Sequence, residues 1–149
     1  MSKLFYEDLE EGIEHKSSGR TVTEADVVNF AGISADYNNM HIDEEFAKKT
    51  VFKTRVAHGM LVTSIATGLW FTMPRLATVA FMGLEDWRFS GAVFPGDTIH
   101  ITRKLVEKKE HKRPNMGFFI FEVSVHNQKE EVVQKGKWVI LVQRKNQSS

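Results

Sequence analysis

The sequence contains no cysteine among its 149 residues, and this absence excludes several kinds of site. Without thiols there is no disulfide framework, no cysteine nucleophile, and no zinc or iron–sulfur centre held by cysteine ligands. Proline is also scarce, with three residues, and no internal repeat or low-complexity segment occurs. Because a chain of about 150 residues usually forms one domain, we expect a single domain over 1–149, with a frayed tail over 144–149.

Excess charge of one sign and long apolar runs are missing as well. The 20 basic and 19 acidic residues nearly balance, whereas proteins that bind nucleic acid usually carry a basic surface. The uncharged stretch between His58 and Arg75 is too short and too polar for a membrane span. The N-terminus turns acidic at once and lacks the pattern of a signal peptide. We therefore expect a cytoplasmic protein that binds neither nucleic acid nor membranes.

The first half of the chain has the periodicity of helices. Thr23 followed by Asp26 is a helix-start signal, and it predicts a helix over Glu24–Ser34. The polar segment Ala35–Asp43 fits neither helix nor strand periodicity and is predicted to be a loop, followed by a short helix. The apolar segment from Gly59 to about Met73 predicts a helix that is buried on several sides.

The second half alternates between apolar and polar residues, which is typical of strands. We expect strands over Thr78–Phe89 and Thr98–Lys108, then a hairpin made by GFFIFEVSVHN and VVQKGKWVILVQR. A short edge strand can lie within 12–20. Helices early and strands late favour an α+β domain in which a curved antiparallel sheet wraps around the buried helix. Since one small sheet leaves edge strands unpaired, we also expect pairing with a second copy.

Asp36 and His41 lie in the predicted polar loop and are candidates for acid–base chemistry. An ionised aspartate can accept a proton, and a histidine can hold or release one near neutral pH. Five residues apart on a helix they would face apart, but in a loop they can converge. The structural alternative is that Asp36 and Asn38 only cap neighbouring backbone groups.

Gly59 stands where the apolar helix begins, directly after His58. A helix N-terminus offers unpaired N–H groups and partial positive charge, and a glycine lets a ligand approach the backbone closely. Such a position can bind an oxyanion. The alternative is that His58 caps the helix and Gly59 relieves a tight turn.

These segments together resemble a known family. The motifs are Asp36-Tyr37-Asn38-Asn39-Met40-His41, Phe52, Arg55-Val56-Ala57-His58-Gly59-Met60, Trp87-Arg88-Phe89 and Val93-Phe94-Pro95-Gly96-Asp97. Their order and spacing resemble the MaoC-like hydratases, hot-dog-fold proteins that include the (R)-specific enoyl-CoA hydratases. Two departures concern the loop: Ala35 stands where the family often has glycine, and Asn39 where it often has proline.

The resemblance implies a hot-dog fold, a homodimer or higher oligomer with continuous sheets, and an acyl thioester substrate of coenzyme A or acyl carrier protein. Asp36 and His41 match the family's catalytic pair, and Gly59 matches the glycine whose N–H binds the thioester carbonyl. The implied substrate-binding residues are Asn38 and Thr67. We also expect His58 and Arg55 to bind substrate, with Arg55 as one candidate for holding the phosphates of coenzyme A. The implied reaction is a hydro-lyase reaction, the reversible addition of water to a trans-2-enoyl thioester, as in fatty acid metabolism.

This reaction requires no cofactor and no metal. A metal set built from His41, Asp43 and His58 would be incomplete. Three other functions remain open: a hydratase of branched or dicarboxylic enoyl-CoA of the mesaconyl type, an acyl-CoA thioesterase, and a non-catalytic acyl-thioester-binding subunit. A thioesterase shares the fold, and fold alone does not decide between them.

Overall fold

A computed structural model describes residues 2–146 of the chain. Four α-helices are present among them: α1 Glu24–Ser34, α2 Asn39–Ile42, α3 Glu44–Ala47 and α4 Gly59–Leu69. A 3₁₀ turn, Trp70–Thr72, continues α4 up to the proline at position 74. The strands are β1 Glu14–Lys16, β2 Arg20–Thr21, β3 Thr78–Phe89, β4 Thr98–Glu110, β5 Met116–His126 and β6 Val132–Gln143.

The strands form an antiparallel sheet in the order β1-β4-β5-β6-β3, and β2 also pairs with β4. Its last strand, β3, changes register against β6 at three places, as β-bulges do where a sheet bends. The sheet curves around α4, whose apolar side is buried against it. This side consists of Leu61, Val62, Ile65, Ala66 and Leu69. The α+β class and the hot-dog arrangement predicted from the sequence are confirmed.

Aromatic side chains fix the far end of the central helix. Trp70 stacks on Trp138 of β6 with ring centroids 5.3 Å apart, and it meets Phe121 of β5 edge-on at 5.1 Å. Beneath Trp70 lies the fully buried Arg103, whose Nη2 donates to the Pro74 carbonyl oxygen at 2.6 Å. These contacts hold the helix axis against the sheet, so the opposite end, at Gly59, has a defined position.

The helix predicted over Glu24–Ser34 is α1, and its start signal works as expected. The Thr23 hydroxyl accepts the Asp26 N–H at 3.2 Å, and the Asp26 carboxylate accepts the Thr23 N–H at 2.9 Å. The loop prediction for Ala35–Asp43 is partly wrong, because α2 lies inside it. The Asn38 side chain accepts the Met40 N–H at 3.2 Å and starts this single turn. A turn of four residues is too short to give a periodic signal.

The tail predicted to fray from residue 144 is held at its start. Arg144 donates to Glu7 at 2.9 Å and to Glu110 at 2.8 Å, and the Lys145 ammonium pairs with Asp8. The prediction is therefore wrong for these two residues, which bind acidic groups that sequence spacing does not connect to them. Residues 147–149 lie outside the described part of the chain.

Candidate active site

A cavity of about 720 Å³ opens between the end of α1, the start of α4 and the segment after β3. Asp36, His41, His58 and Gly59 all line it, so the predicted catalytic residues meet at one place. The other lining residues are Phe30, Ser34, Met40, Phe52, Val56, Ala57, Met60, Val62, Phe89, Ser90, Gly91, Ala92, Val93 and Gln134. Among the described residues, no lysine or arginine lines the cavity, and most of its wall is apolar.

Asp36 is placed by the end of α1. The helix stops at Ala35, which adopts the left-handed conformation with φ 59° and ψ 19°. This turn directs the next residue toward the cavity. The Asp36 Oδ1 accepts the Asn38 N–H at 3.2 Å, and its side chain is 51% exposed. The carboxylate is thus oriented by the backbone while its other oxygen remains accessible.

His41 lies on α2 and is buried. Its Nδ1 is 2.7 Å from the Val56 carbonyl oxygen, which can only accept, so Nδ1 carries the proton of this bond. In the neutral ring Nε2 is then an acceptor, and it lies 3.9 Å from the Asp36 Oδ2. That separation is too long for a direct hydrogen bond but suits a water held between the two atoms.

His58 contacts both members of the Asp36–His41 pair. Its ring stacks on His41 with centroids 3.8 Å apart and an interplanar angle of 25°. Its Nε2 donates to the Asp36 carbonyl oxygen at 2.9 Å. His58 occupies the N-cap position of α4, as the structural alternative expected, but its side chain makes no capping hydrogen bond to the helix. The residue holds the Asp36 backbone instead.

Gly59 is the first residue of α4, and its N–H therefore has no acceptor within the helix. A Cβ built at this position would lie 2.9 Å from two ring carbons of Phe89. A larger residue at this position would therefore require the Phe89 side chain, at the end of β3, to move. The structure thus presents an unpaired amide at a helix N-terminus on the cavity wall, where the helix dipole favours negative charge.

Three residues predicted to bind substrate do not line this cavity. Thr67 is exposed on α4, and its hydroxyl donates to the Ser64 carbonyl oxygen. Asn38 caps α2. The Arg55 guanidinium donates to Glu44 at 2.8 Å and to Glu24 at 2.6 Å, and these bonds raise its pKa. Their assignment as substrate-binding residues remains a prediction.

Gln134 is a cavity residue that sequence reasoning missed. It belongs to β6, is 2% exposed and donates to the Gly59 carbonyl oxygen at 2.9 Å. The alternating pattern of the strand gives no sign of this contact, because the two residues are far apart in sequence. A glutamine at an inward-facing position of the strand was the one available signal.

Ligand atoms of Asp36, His41 and His58 lie within 4.8 Å of one another. One nitrogen of each histidine is engaged by a backbone carbonyl, as described above. Asp43, which belonged to the alternative set considered from sequence, caps α3 by accepting the Phe46 N–H at 3.0 Å. We assign no metal to this cluster, and the absence of a metal remains a prediction.

Residues 9–127 match the model of the MaoC like domain, and this span exceeds half of the chain. The chain belongs to the MaoC-like family. The (R)-specific enoyl-CoA hydratase of Rhodospirillum rubrum is 36% identical over 98 residues, which cover 66% of this chain and 67% of that protein. Protein MaoC of Klebsiella aerogenes is 38% identical over 99 residues, 66% of this chain. This MaoC-like chain covers 30% of that longer protein.

Solved structures agree with this family assignment. The MaoC-like dehydratase of Rhodospirillum rubrum superposes with a TM-score of 0.86 at 28% identity, covering 97% of this chain and 99% of the other. A Mycobacterium tuberculosis protein with a double hotdog fold gives 0.86 at 16% identity, covering 99% of this chain and 46% of that one. The second likeness shows the fold alone. No helix among the described residues has the length and apolar character to cross a bilayer.

Proposed function

We propose that this MaoC-like protein is a hydro-lyase that adds water reversibly to a trans-2-enoyl thioester and forms the (3R)-hydroxy product. The observation that carries the proposal is the 3.9 Å approach of Asp36 Oδ2 and His41 Nε2 on one cavity that also contains the Gly59 amide. Hydration needs a base for water, a proton source and a site for the developing oxyanion. The hydratase and dehydratase names of relatives agree with this class.

The attacking water sits between Asp36 and His41. It donates one hydrogen to the ionised Asp36 and the other to Nε2 of the neutral His41, whose Nδ1 is committed to Val56. Asp36 removes a proton as the water oxygen bonds to the β-carbon of the enoyl group. The proton then returns to the α-carbon, so the enzyme is restored and one water has been added. General acid–base help of this kind contributes about 10²–10⁴-fold in rate.

The thioester oxygen becomes negative as the β-carbon is attacked, and the Gly59 N–H stabilises it. Since this charge develops in the transition state, the N–H acts mainly on the rate of the chemical step. A donor of this type is worth about 10²–10³-fold in kcat. The helix N-terminus adds its partial positive charge at the same point.

The acyl group is apolar and carries no second carboxylate. The cavity wall supports this part of the proposal. Within residues 2–146 it consists largely of aromatic and aliphatic side chains, and it contains no lysine or arginine that could pair with a second carboxylate. A dicarboxylic substrate of the mesaconyl type would need such a cation. The carrier is coenzyme A or acyl carrier protein, and neither a metal nor another cofactor takes part.

The protein acts as a homodimer joined through β3. This strand ends the described sheet and has exposed apolar side chains. They are Val79, Phe81, Met82 and Leu84. An unpaired edge with this composition favours pairing with another strand. Light scattering on the purified protein tests the dimer, and Met82→Lys is expected to shift it toward monomer.

Purified protein and crotonyl-CoA test the reaction. We expect loss of the conjugated enoyl-thioester absorbance and formation of the (3R)-hydroxy thioester. Asp36→Asn keeps the shape and removes the base, so it should lose at least about 100-fold in kcat, the lower end of the range for acid–base catalysis. Glu10→Gln is the control, because Glu10 is exposed and lies outside both the cavity and β3.

Two results would contradict the proposal. Near-wild-type turnover by Asp36→Asn would remove Asp36 from the chemistry. Release of free thiol from saturated acyl-CoA, without hydration of any enoyl-CoA, would establish a thioesterase instead.

A further inference from the structure

We propose that Gln134 is a positioning residue that holds Gly59 in the geometry needed to bind the thioester oxyanion. This inference rests on the proposed hydratase function. Gln134 projects from β6, on the sheet, toward the first turn of α4. Its amide is the polar group that joins these two elements at the cavity.

The orientation of the Gln134 amide is fixed at both ends. The Trp87 indole nitrogen can only donate, and it lies 3.3 Å from the Gln134 atom assigned as Oε1. The Gly59 carbonyl can only accept, and it lies 2.9 Å from the atom assigned as Nε2. Reversing the amide would place donor against donor and acceptor against acceptor. The two neighbours therefore require the same orientation.

Thr63 completes the network. Its hydroxyl donates to the Gln134 Oε1 at 2.8 Å and accepts the Trp87 N–H at 3.1 Å. Thr63 lies one helical turn after Gly59, and its hydroxyl is also 3.2 Å from the Gly59 carbonyl oxygen. The first turn of α4 is thus tied to β3 and β6 by side chains and not only by apolar packing.

Glycine has more backbone freedom than any other residue, so an oxyanion donor on glycine needs external restraint. The bond from Gln134 restrains the Gly59 carbonyl, and the Phe89 ring packs against the same residue. The N–H of Gly59 belongs to the preceding peptide and shares the glycine Cα. Fixing the carbonyl therefore limits rotation about the bonds that aim the N–H. A preorganised donor is effective because it needs no reorientation during the reaction.

Gln134→Glu separates this role from ordinary core packing. The protonated carboxyl group has the shape of the amide and the same pattern: its carbonyl accepts from Trp87 and Thr63, and its O–H donates to Gly59. The ionised form has only acceptors and repels the Gly59 carbonyl oxygen. Burial of this position favours the protonated form into the neutral range.

The experiment measures kcat and KM for crotonyl-CoA across pH 5–9 with wild type, Gln134→Glu, Gln134→Leu and Gln143→Glu. Gln143 is the control, since it lies on the same strand and is exposed. We expect the kcat ratio of Gln134→Glu to wild type to be close to one at acidic pH. It should fall at least tenfold as the new carboxyl group ionises, with little change in KM. Gln134→Leu should lose a similar factor at every pH.

Several outcomes overturn the inference. If the Gln134→Glu ratio follows that of Gln143→Glu across pH, Gln134 does not position the donor. If the ratio is reduced equally at all pH values in step with the melting temperature, the role is structural. If Gln134→Leu fails to fold, Gln134→Glu at acidic pH carries the test, and its failure to fold there contradicts the bonding pattern. Wild-type protein that hydrates no enoyl thioester refutes the proposed function as well, whereas the other outcomes refute this inference alone.

Discussion

The imidazole rings of His41 and His58 stack with centroids 3.8 Å apart, and each ring has one nitrogen bonded to a backbone carbonyl oxygen. The carbonyl partner of His41 is Val56, and that of His58 is Asp36. His58 therefore acts on the Asp36–His41 pair partly through the backbone of Asp36. This relationship predicts how its loss should appear in kinetics.

His58→Phe keeps the stacked ring and removes the bond to the Asp36 carbonyl oxygen. We expect kcat for crotonyl-CoA to fall about tenfold while KM changes little, because the position of Asp36 is disturbed and no substrate contact is lost. The lost hydrogen bond should lower the free energy of unfolding by about 1 kcal/mol. A raised KM with unchanged kcat would instead assign His58 to substrate binding, as expected from the sequence.

Gly59→Ala places a methyl group 2.9 Å from the Phe89 ring. The ring or the helix start must shift, but Phe89 is 54% exposed, so the loss of stability should lie below the value of about 1–3 kcal/mol that is typical of overpacking in a buried core. We expect turnover to fall at least tenfold. The double variant Gly59→Ala/Phe89→Leu should recover part of both stability and turnover, because the smaller side chain leaves room for the methyl group. Thermal melts and steady-state kinetics of the single and double variants measure this, and a double variant no better than Gly59→Ala would contradict the contact.

Ala35→Gly should stabilise the protein. Ala35 has φ 59°, and a residue with a Cβ pays about 1–2 kcal/mol to adopt this left-handed conformation. Part of that gain is offset because glycine adds freedom to the unfolded chain. We expect a net gain of about 0.5–1 kcal/mol, seen as a higher midpoint in urea titration. Ala25→Gly, in the first turn of the same helix, is the control and should have the opposite sign. An Ala35→Gly variant with a lower midpoint would contradict the strain.

His15 and His100 make stability depend on pH in the mildly acidic range. Burial lowers the pKa of His100, with Glu130 opposing the shift, and burial together with Arg103 lowers the pKa of His15. The unfolded chain therefore binds more protons as pH falls through about 6.5, the ordinary histidine value. Stability should be fully present above that pH and should decrease as pH falls from there toward the pKa values of the folded protein. Urea titrations between pH 7.5 and 5 measure this slope, and we expect His100→Asn to flatten it. An unchanged slope would show that His100 does not contribute.

Much of the fold was accessible from sequence because its signals are local. The helix over Glu24–Ser34 has its own capping pair, and the strand over Thr78–Phe89 has β-branched and aromatic residues that favour a strand; both were predicted with the bounds that the structure has. The single turn α2 was missed because one side chain, Asn38, determines it. The bonds of Arg144 and Lys145 were missed because their acidic partners, Glu7, Asp8 and Glu110, are distant in sequence.

The residues of the candidate site also differ in whether the sequence alone could identify them. Asp36, His41 and Gly59 were identified through motifs, and the structure brings them to one cavity. The role of Arg55 could not be read from its motif, since only the folded chain shows Glu24 and Glu44 on either side of it. Gln134 lies outside all of these motifs. Its contact with Gly59 exists only because the sheet curves around α4.

The groups proposed to act on water and on the thioester oxygen all come from one continuous stretch, residues 36–59, and Met40, Phe52 and Val56 of the same stretch also line the cavity. Ala92 and Val93 supply another part of the apolar wall from a separate segment. A substitution at Ala92 would therefore reshape the cavity while leaving in place the proposed acid–base pair and Phe89, which packs against Gly59. This position is accordingly a starting point for retargeting the protein to a different acyl group.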